Sequence, residues 1–291
     1  MKKKFFASLG LILVLFSITG CFKRDDLEDV TIYTTVYPIE YLTKRLYGYN
    51  SEVVSIYPNG VDVNTYELSE KQVKNYSDSS IFIYNGLSNE KEVARTFLNE
   101  NEKLKIIDVS YGLKYTYGVE ELWLSPNNYL MLASNIKTSL NELITSKYIK
   151  EEIQTNFNTL EEDISLLDAE LRSIGSASKN DGKNNILVAS DVLVFLENYD
   201  FNPILLKNEK NMNSLLKNQL KNGKYKYIMI TDTDVQSEYL KEIIKNYKLE
   251  VITVETMNVL TDDERKLNEN YLTIMKSFLE QLRTVGLGDK K

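Results

Sequence analysis

No histidine occurs anywhere in the 291 residues. That absence removes the usual general base, the commonest metal ligand and every Ser-His or Cys-His nucleophilic pair. A single cysteine, Cys21, excludes a disulfide framework and a thiolate metal cluster. Basic residues are also short, with Lys plus Arg at 35 against Asp plus Glu at 42. Such a chain lacks the cationic footprint that displaces phosphate counterions, so nucleic acid is not an expected partner. No glycine loop of the phosphate-binding kind is present. Without these parts an enzyme would have to work through a carboxylate pair alone. The composition therefore points to binding rather than catalysis.

The N-terminus does carry a pattern. Lys2, Lys3 and Lys4 precede an apolar run over residues 5–18, which Thr19-Gly20-Cys21 closes. A basic start, a short greasy middle and a small-residue end make an export signal over residues 1–20. The run is shorter than the ~20 residues a spanning helix needs, and charged residues follow at once. Ile18-Thr19-Gly20-Cys21 resembles a bacterial lipobox, which implies lipidation at Cys21 and display on the outer face of the cytoplasmic membrane. A diacyl anchor holds a soluble domain stably at a bilayer surface. Removal of the three lysines takes the formal charge from −7 to −10.

Beyond a linker over residues 21–28, β-branched and aromatic runs alternate with helical spacings. Strands are expected at 30–36, 52–57, 80–84 and 105–109, with helices at 39–46, 70–75 and 91–98 between them. The pattern resumes with strands at 186–189, 203–206, 227–231 and 250–254, and helices at 193–198, 212–220, 237–246 and 268–283. Between the two sets, Ile149, Ile153, Phe157, Leu160, Ile164, Leu167, Leu171 and Ile174 recur in steps of four and three. One helix over 149–175 would be about 39 Å long. Residues 175–185, rich in Ser, Lys, Asn and Gly, read as a loop or hinge. The expected fold class is α/β: an N-terminal lobe (29–148) and a C-terminal lobe (176–291), each a mainly parallel sheet with flanking helices, joined by one long rigid helix. Ligands of such folds gather at the carboxyl ends of the strands. Twenty tyrosines are expected as half-buried surface and strand residues, with a ligand cleft as the other use for them.

Several motifs in order carry a family likeness: Thr34-Thr35-Val36-Tyr37-Pro38, then residues 56–69 from Ile56-Tyr57-Pro58-Asn59-Gly60 to Tyr66-Glu67-Leu68-Ser69, and Ile83-Tyr84-Asn85-Gly86-Leu87. Trp123-Leu124-Ser125-Pro126, Leu260-Thr261-Asp262-Asp263 and Tyr271-Leu272 continue it. Together they resemble the solute-binding lipoproteins of zinc and manganese ABC importers, some of which have been called adhesins. The resemblance implies a monomer that serves a permease and an ATPase, and a metal held between two lobes by three histidines plus a carboxylate or water. Every histidine position is altered here. The matching residues are Asn64, Glu121 and Ser190, the last followed by Asp191, and Glu255 matches the acidic position.

All five offer oxygen in place of imidazole, which suits Mn²⁺ or Ca²⁺ better than Zn²⁺. Other uses stay open for each: a turn for Asn64, a solvated carboxylate at a helix start for Glu121, a cap for Ser190 and a structural acceptor for Asp191. A non-metal ligand, or a surface adhesion or interaction function, also stays open. Thr231-Asp232-Thr233-Asp234 is expected as a cap and turn rather than a cation loop, since it lacks the glycine and terminal glutamate of one.

Overall fold

The computed structural model describes residue 25, residues 27–234 and residues 236–288. The signal segment and Cys21 lie outside these. Two four-stranded sheets form, both wholly parallel. In the first, β1 (Val30–Thr34), β2 (Ser51–Ser55), β3 (Ile81–Tyr84) and β4 (Lys105–Asp108) lie in the order β2-β1-β3-β4. In the second, β5 (Asn185–Val188), β6 (Asn202–Leu205), β7 (Tyr227–Thr231) and β8 (Glu250–Val254) repeat it as β6-β5-β7-β8. Each chain reversal of strand order falls between the two central strands, where the crevice of an open α/β sheet is found.

Helices α1 (Tyr37–Tyr47), α2 (Glu70–Ser77), α3 (Glu90–Glu100), α4 (Glu121–Leu124) and α5 (Pro126–Leu143) belong to the first lobe. Local chemistry sets their ends. Ser69 and Gln72 form a reciprocal capping box on α2, and a proline stands in the first turn of both α1 and α5, where its missing N–H costs nothing.

The connecting helix α6 runs from Lys147 to Asn180, 34 residues and about 51 Å. All eight apolar residues of its expected stripe are buried. It does not stop at 175: residues 175–180 of the expected loop are helix, and the turn is confined to 181–184. Gly175 is a point of close approach instead: a Cβ at this position would come within 1.7 Å of the Tyr199 carbonyl oxygen. Ser178 then continues the buried face by donating to the Gly286 carbonyl at 3.0 Å.

In the second lobe a 3₁₀ segment, Asp191–Tyr199, replaces the α-helix expected near 193–198. It is followed by α7 (Ser214–Lys221), α8 (Glu238–Tyr247), α9 (Asp262–Lys266) and α10 (Tyr271–Leu287).

A main core runs without interruption from Leu27 through the α6 stripe to Leu282, so it belongs to both lobes. A smaller core, built on Leu187, Leu216, Ile228 and Leu240, lies within the second lobe alone. Several tyrosines are buried outright rather than half-buried. Their hydroxyls donate to backbone carbonyls of distant elements: Tyr47 to Leu27 at 2.9 Å, Tyr129 to Pro38 at 2.8 Å, and Tyr271 to Trp123 at 2.8 Å. A buried phenol needs such an acceptor, and here the acceptors tie the layers together.

The segment between β8 and α10 crosses back onto the first lobe. Tyr37 N donates to Asn258 O at 2.9 Å, Gly60 N to Leu260 O at 3.1 Å, and Trp123 Nε1 to Thr256 O at 2.6 Å. Arg265 grips the buried Glu40 carboxylate with both terminal nitrogens, at 3.1 and 2.8 Å. No helix of the described residues is long and apolar enough to cross a membrane.

Candidate functional site

The carboxyl ends of β1, β3, β7 and β8 lead into Thr35, Asn85, Asp232 and Glu255, and these edges of the two sheets face a crevice. Two joined cavities occupy it. One, of about 290 Å³, is walled by Tyr57, Asn64, Glu90, Glu120, Trp123 and Asn258. The other, of about 390 Å³, is walled by Asp62, Asn64, Asp232, Thr233, Thr256 and Asn258. Asn64 and Asn258, one from each lobe, border both.

Of the five residues expected to hold a ligand, Asn64 stands in the crevice. It sits in a turn made when its backbone N–H donates to Asp62 Oδ1 at 2.9 Å, which leaves the side chain at the rim. Glu121, the first residue of α4, is buried and faces its own loop. Its Oε2 accepts from Thr116 N at 2.9 Å and Tyr117 N at 3.2 Å. Ser190 is buried with its hydroxyl 3.3 Å from that of Thr231, bridging the ends of β5 and β7. Asp191 is paired with the Lys207 ammonium. Glu255 is half-buried, and burial, followed by the charges of Glu264 and Asp232, pushes its carboxyl up to about 8.

Glu121, Asp191 and Glu255 do not come together. Among the described residues no three His, Cys, Asp or Glu side chains are placed to hold a metal ion. The physical reason is local: the carboxylates of Glu121 and Asp191 are already spent on partners within their own lobe. The Thr231 to Asp234 run is a turn, as expected, closed by Asp234 Oδ2 accepting from Thr231 N at 2.8 Å and Oγ1 at 2.7 Å. It caps no helix, because Ser237 caps α8.

Sequence reasoning missed the residue that dominates the floor of the first cavity. Glu90, at the start of α3, is buried and accepts from Asn85 N at 2.8 Å, and burial pushes its carboxyl up to about 7. Asn85 itself is buried with its Nδ2 lacking a hydrogen-bond partner. The available signal was the Asn85-Gly86-Leu87 motif, whose reach extends three residues further, to Glu90. Glu120 was missed for a simpler reason, since it adjoins Glu121 and is the one of the pair that faces the cavity.

The profile of the family described as "Zinc-uptake complex component A periplasmic" matches residues 32–285, nearly all of the described chain. The chain belongs to this family. Among the family's relatives, the zinc-binding protein AdcA of Streptococcus pyogenes is 24% identical over 324 residues, covering 97% of this chain. The chain spans 61% of the length of that relative. The metal ABC transporter substrate-binding lipoprotein ScbA of Streptococcus cristatus is 25% identical over 211 residues, 66% of each chain. Solved structures share the fold. The Zn(II)-bound ZnuA-like domain of AdcA from Streptococcus pneumoniae superposes with a TM-score of 0.72 at 22% identity, over 89% of this chain and 99% of that one. The metal-dependent lipoprotein YcdH of Bacillus subtilis gives 0.74 at 19% identity, over 89% of this chain and all of that one.

Proposed function

We propose that this protein is the extracytoplasmic solute-binding lipoprotein of an ABC importer, anchored through Cys21, which captures a divalent cation in the crevice and passes it to a permease and an ATPase. The observation that carries this reading is the family match over residues 32–285 on a frame whose two sheets turn their carboxyl edges toward one crevice. The relatives named for zinc or metal supply the cargo class.

In this reading Asn64, Glu121, Ser190, Asp191 and Glu255 stand where a histidine-type site would be, and they offer oxygen only. Asn64 already lines the cavities, whereas recruitment of Glu121 or Asp191 costs the bonds each makes to its loop amides or to Lys207. Such a site favours Mn²⁺ or Ca²⁺ over Zn²⁺ relative to its histidine-bearing relatives.

A second reading, capture of a non-metal ligand, is favoured by one observation: Tyr57, Tyr115, Trp123 and amides stand in the crevice wall beside its acids, and among the described residues no three His, Cys, Asp or Glu side chains are placed to hold a metal ion. Calorimetry of the purified chain with Zn²⁺, Mn²⁺ and Ca²⁺, beside metal analysis of the protein as isolated, decides between them. Saturable heat with Mn²⁺ or Ca²⁺ supports the cation reading. Absence of heat with all three, and no metal in the isolated protein, transfers the function to a non-metal ligand.

A further inference from the structure

The point at which the chain leaves its N-terminal stem is fastened with unusual thoroughness. Asp25 Oδ2 accepts from Thr145 N at 2.7 Å, Thr145 Oγ1 at 2.9 Å and Ser146 N at 2.7 Å, just ahead of the first turn of α6. Its Oδ1 accepts from Leu27 N at 3.2 Å, and the buried Leu27 is held in turn by the Tyr47 hydroxyl. Burial opposes ionisation of Asp25, yet these hydrogen bonds outweigh it and hold the carboxyl below its ordinary value. A flexible linker would have no use for such a clasp.

The clasp sits at the amino edge of the first sheet, where residues lead into β1 and β2, and this edge is opposite the crevice. Asp29 N donates to Asn50 O at 2.8 Å, and Asn50 reaches across to Glu152 on α6 at 3.2 Å. Two tyrosines flank this contact. Tyr49 is 85% exposed and precedes Asn50, and Tyr148 is 74% exposed and lies one turn before Glu152 on the same helix face. Tyr47, Tyr129 and Tyr271 are drawn inward to bond carbonyls, whereas Tyr49 and Tyr148 stand in solvent, as Tyr111 does beyond β4. What sets Tyr49 and Tyr148 apart is their place beside the stem, where a bilayer surface would suit a ring with a polar tip.

Only three residues, Phe22, Lys23 and Arg24, separate Cys21 from Asp25, a reach of about 14 Å at full extension. An anchored Cys21 therefore keeps this edge beside the headgroup region of the bilayer, where tyrosine side chains are enriched in membrane proteins. Charge adds no net attraction: Asp25, Asp26, Glu28, Asp29, Glu151 and Glu152 outnumber Lys23, Arg24, Lys147 and Lys150 around the stem. We propose that the amino edge of the first lobe is a membrane seat, with Tyr49 and Tyr148 resting in the headgroup layer of the outer leaflet, so that α6 rises from the bilayer and holds the crevice above it. The proposal rests on lipidation of Cys21. Because the seat uses aromatic rings rather than cations, it is indifferent to lipid charge.

The test uses the full chain, lipidated and reconstituted into neutral phosphatidylcholine vesicles that carry a headgroup spin label. Tyr148→Trp and Tyr49→Trp place the probe at the seat, and Lys224→Trp places it at the exposed amino edge of the second sheet. The native Trp123 is 1% exposed and supplies the same shielded background in every variant. The expected result is that protein floats with vesicles, that the emission added at 148 and 49 is largely lost to the quencher, and that emission added at 224 is retained. Replacing part of the lipid by phosphatidylglycerol should leave this pattern unchanged. Flotation without quenching at 148 and 49, or with equal quenching at 224, overturns the seat while leaving the anchor intact. A chain that does not float overturns lipidation and the seat with it.

Discussion

The two lobes share one strand order and differ in what they do with the same edge. In the first lobe the carboxyl edge draws polar groups inward: Asn85 and Glu90 are buried beneath the crevice, the one with an unpartnered amide nitrogen and the other with a carboxyl near neutrality. In the second lobe the corresponding edge engages two acids with local partners, Asp191 with Lys207 and Asp232 with Thr256 N at 2.9 Å, and leaves Glu255 half-buried with its carboxyl pushed up to about 8. Topology fixes where a crevice forms, and side-chain chemistry alone decides what each wall offers. Attachment to α6 differs as well. Both lobes pack apolar side chains on the helix, and side-chain bonds such as Arg45 to Asp163 at 2.8 Å and Asn50 to Glu152 at 3.2 Å hold the first, but the second brings a backbone carbonyl against Gly175.

That last contrast is the easiest to break. Gly175→Ala should destabilise the protein by about 3 kcal/mol, at the upper end for overpacking, because the obstacle is main chain and cannot rotate away. Chemical denaturation measures it, and a loss under about 1 kcal/mol would show that the second lobe can shift off the helix at little cost.

Next comes the bridge between lobes. Glu40→Gln keeps the shape but leaves Arg265 without its charge partner, and the expected loss is about 2–3 kcal/mol, since one partner of a buried pair is removed. Amide exchange should quicken first at Tyr37 and Gly60, whose N–H groups bond the crossing segment. Uniform acceleration over the molecule would instead mean that the lobes do not separate locally.

The smallest effect concerns protons, and it sharpens the comparison of the two walls. Both Glu90 and Glu255 have folded-state values above the ordinary 4.5, so between 4.5 and those values the folded protein keeps protons that the unfolded chain has lost. Stability should therefore fall as pH rises, up to about 7 for Glu90 and up to about 8 for Glu255. For the fully buried Glu90 the decline is on the order of 2 kcal/mol, and for the half-solvated Glu255 it is smaller. Glu90→Gln should remove the part of the decline that ends near 7 and Glu255→Gln the part that ends near 8. Melting temperatures of the wild type and both variants across pH 4 to 9 read this out, and an unchanged slope in Glu90→Gln would show that its carboxyl ionises without penalty.

Much of the frame was legible in the residues. Alternating β-branched runs and 3.6-period stripes marked all eight strands, and the steps from Ile149 to Ile174 marked α6. The misreading at residues 175–180, which are helix, has a clear source. Gly and Ser read locally as a hinge, but here small residues permit a second backbone to approach, and only the tertiary partner Tyr199 shows it. The site was less legible. Spacing against the family motifs pointed to Glu121, yet direction is a three-dimensional property, and two loop amides turn that carboxylate away from the cavity while Glu120 faces it. Glu90 lay three residues beyond a recognised motif, where nothing in the local sequence separates a buried acid from an ordinary helix-start acid.

The bonds that fasten the lobes run through Trp123 Nε1, the Tyr271 hydroxyl, the backbone at Asn258 and Leu260, and the Arg265–Glu40 pair, and none of them passes through the side chain of Asn64, Asp191 or Glu255. Natural selection can thus rewrite those three positions without endangering the architecture. The joint between the lobes and the side chains of the crevice wall are thereby free to vary independently.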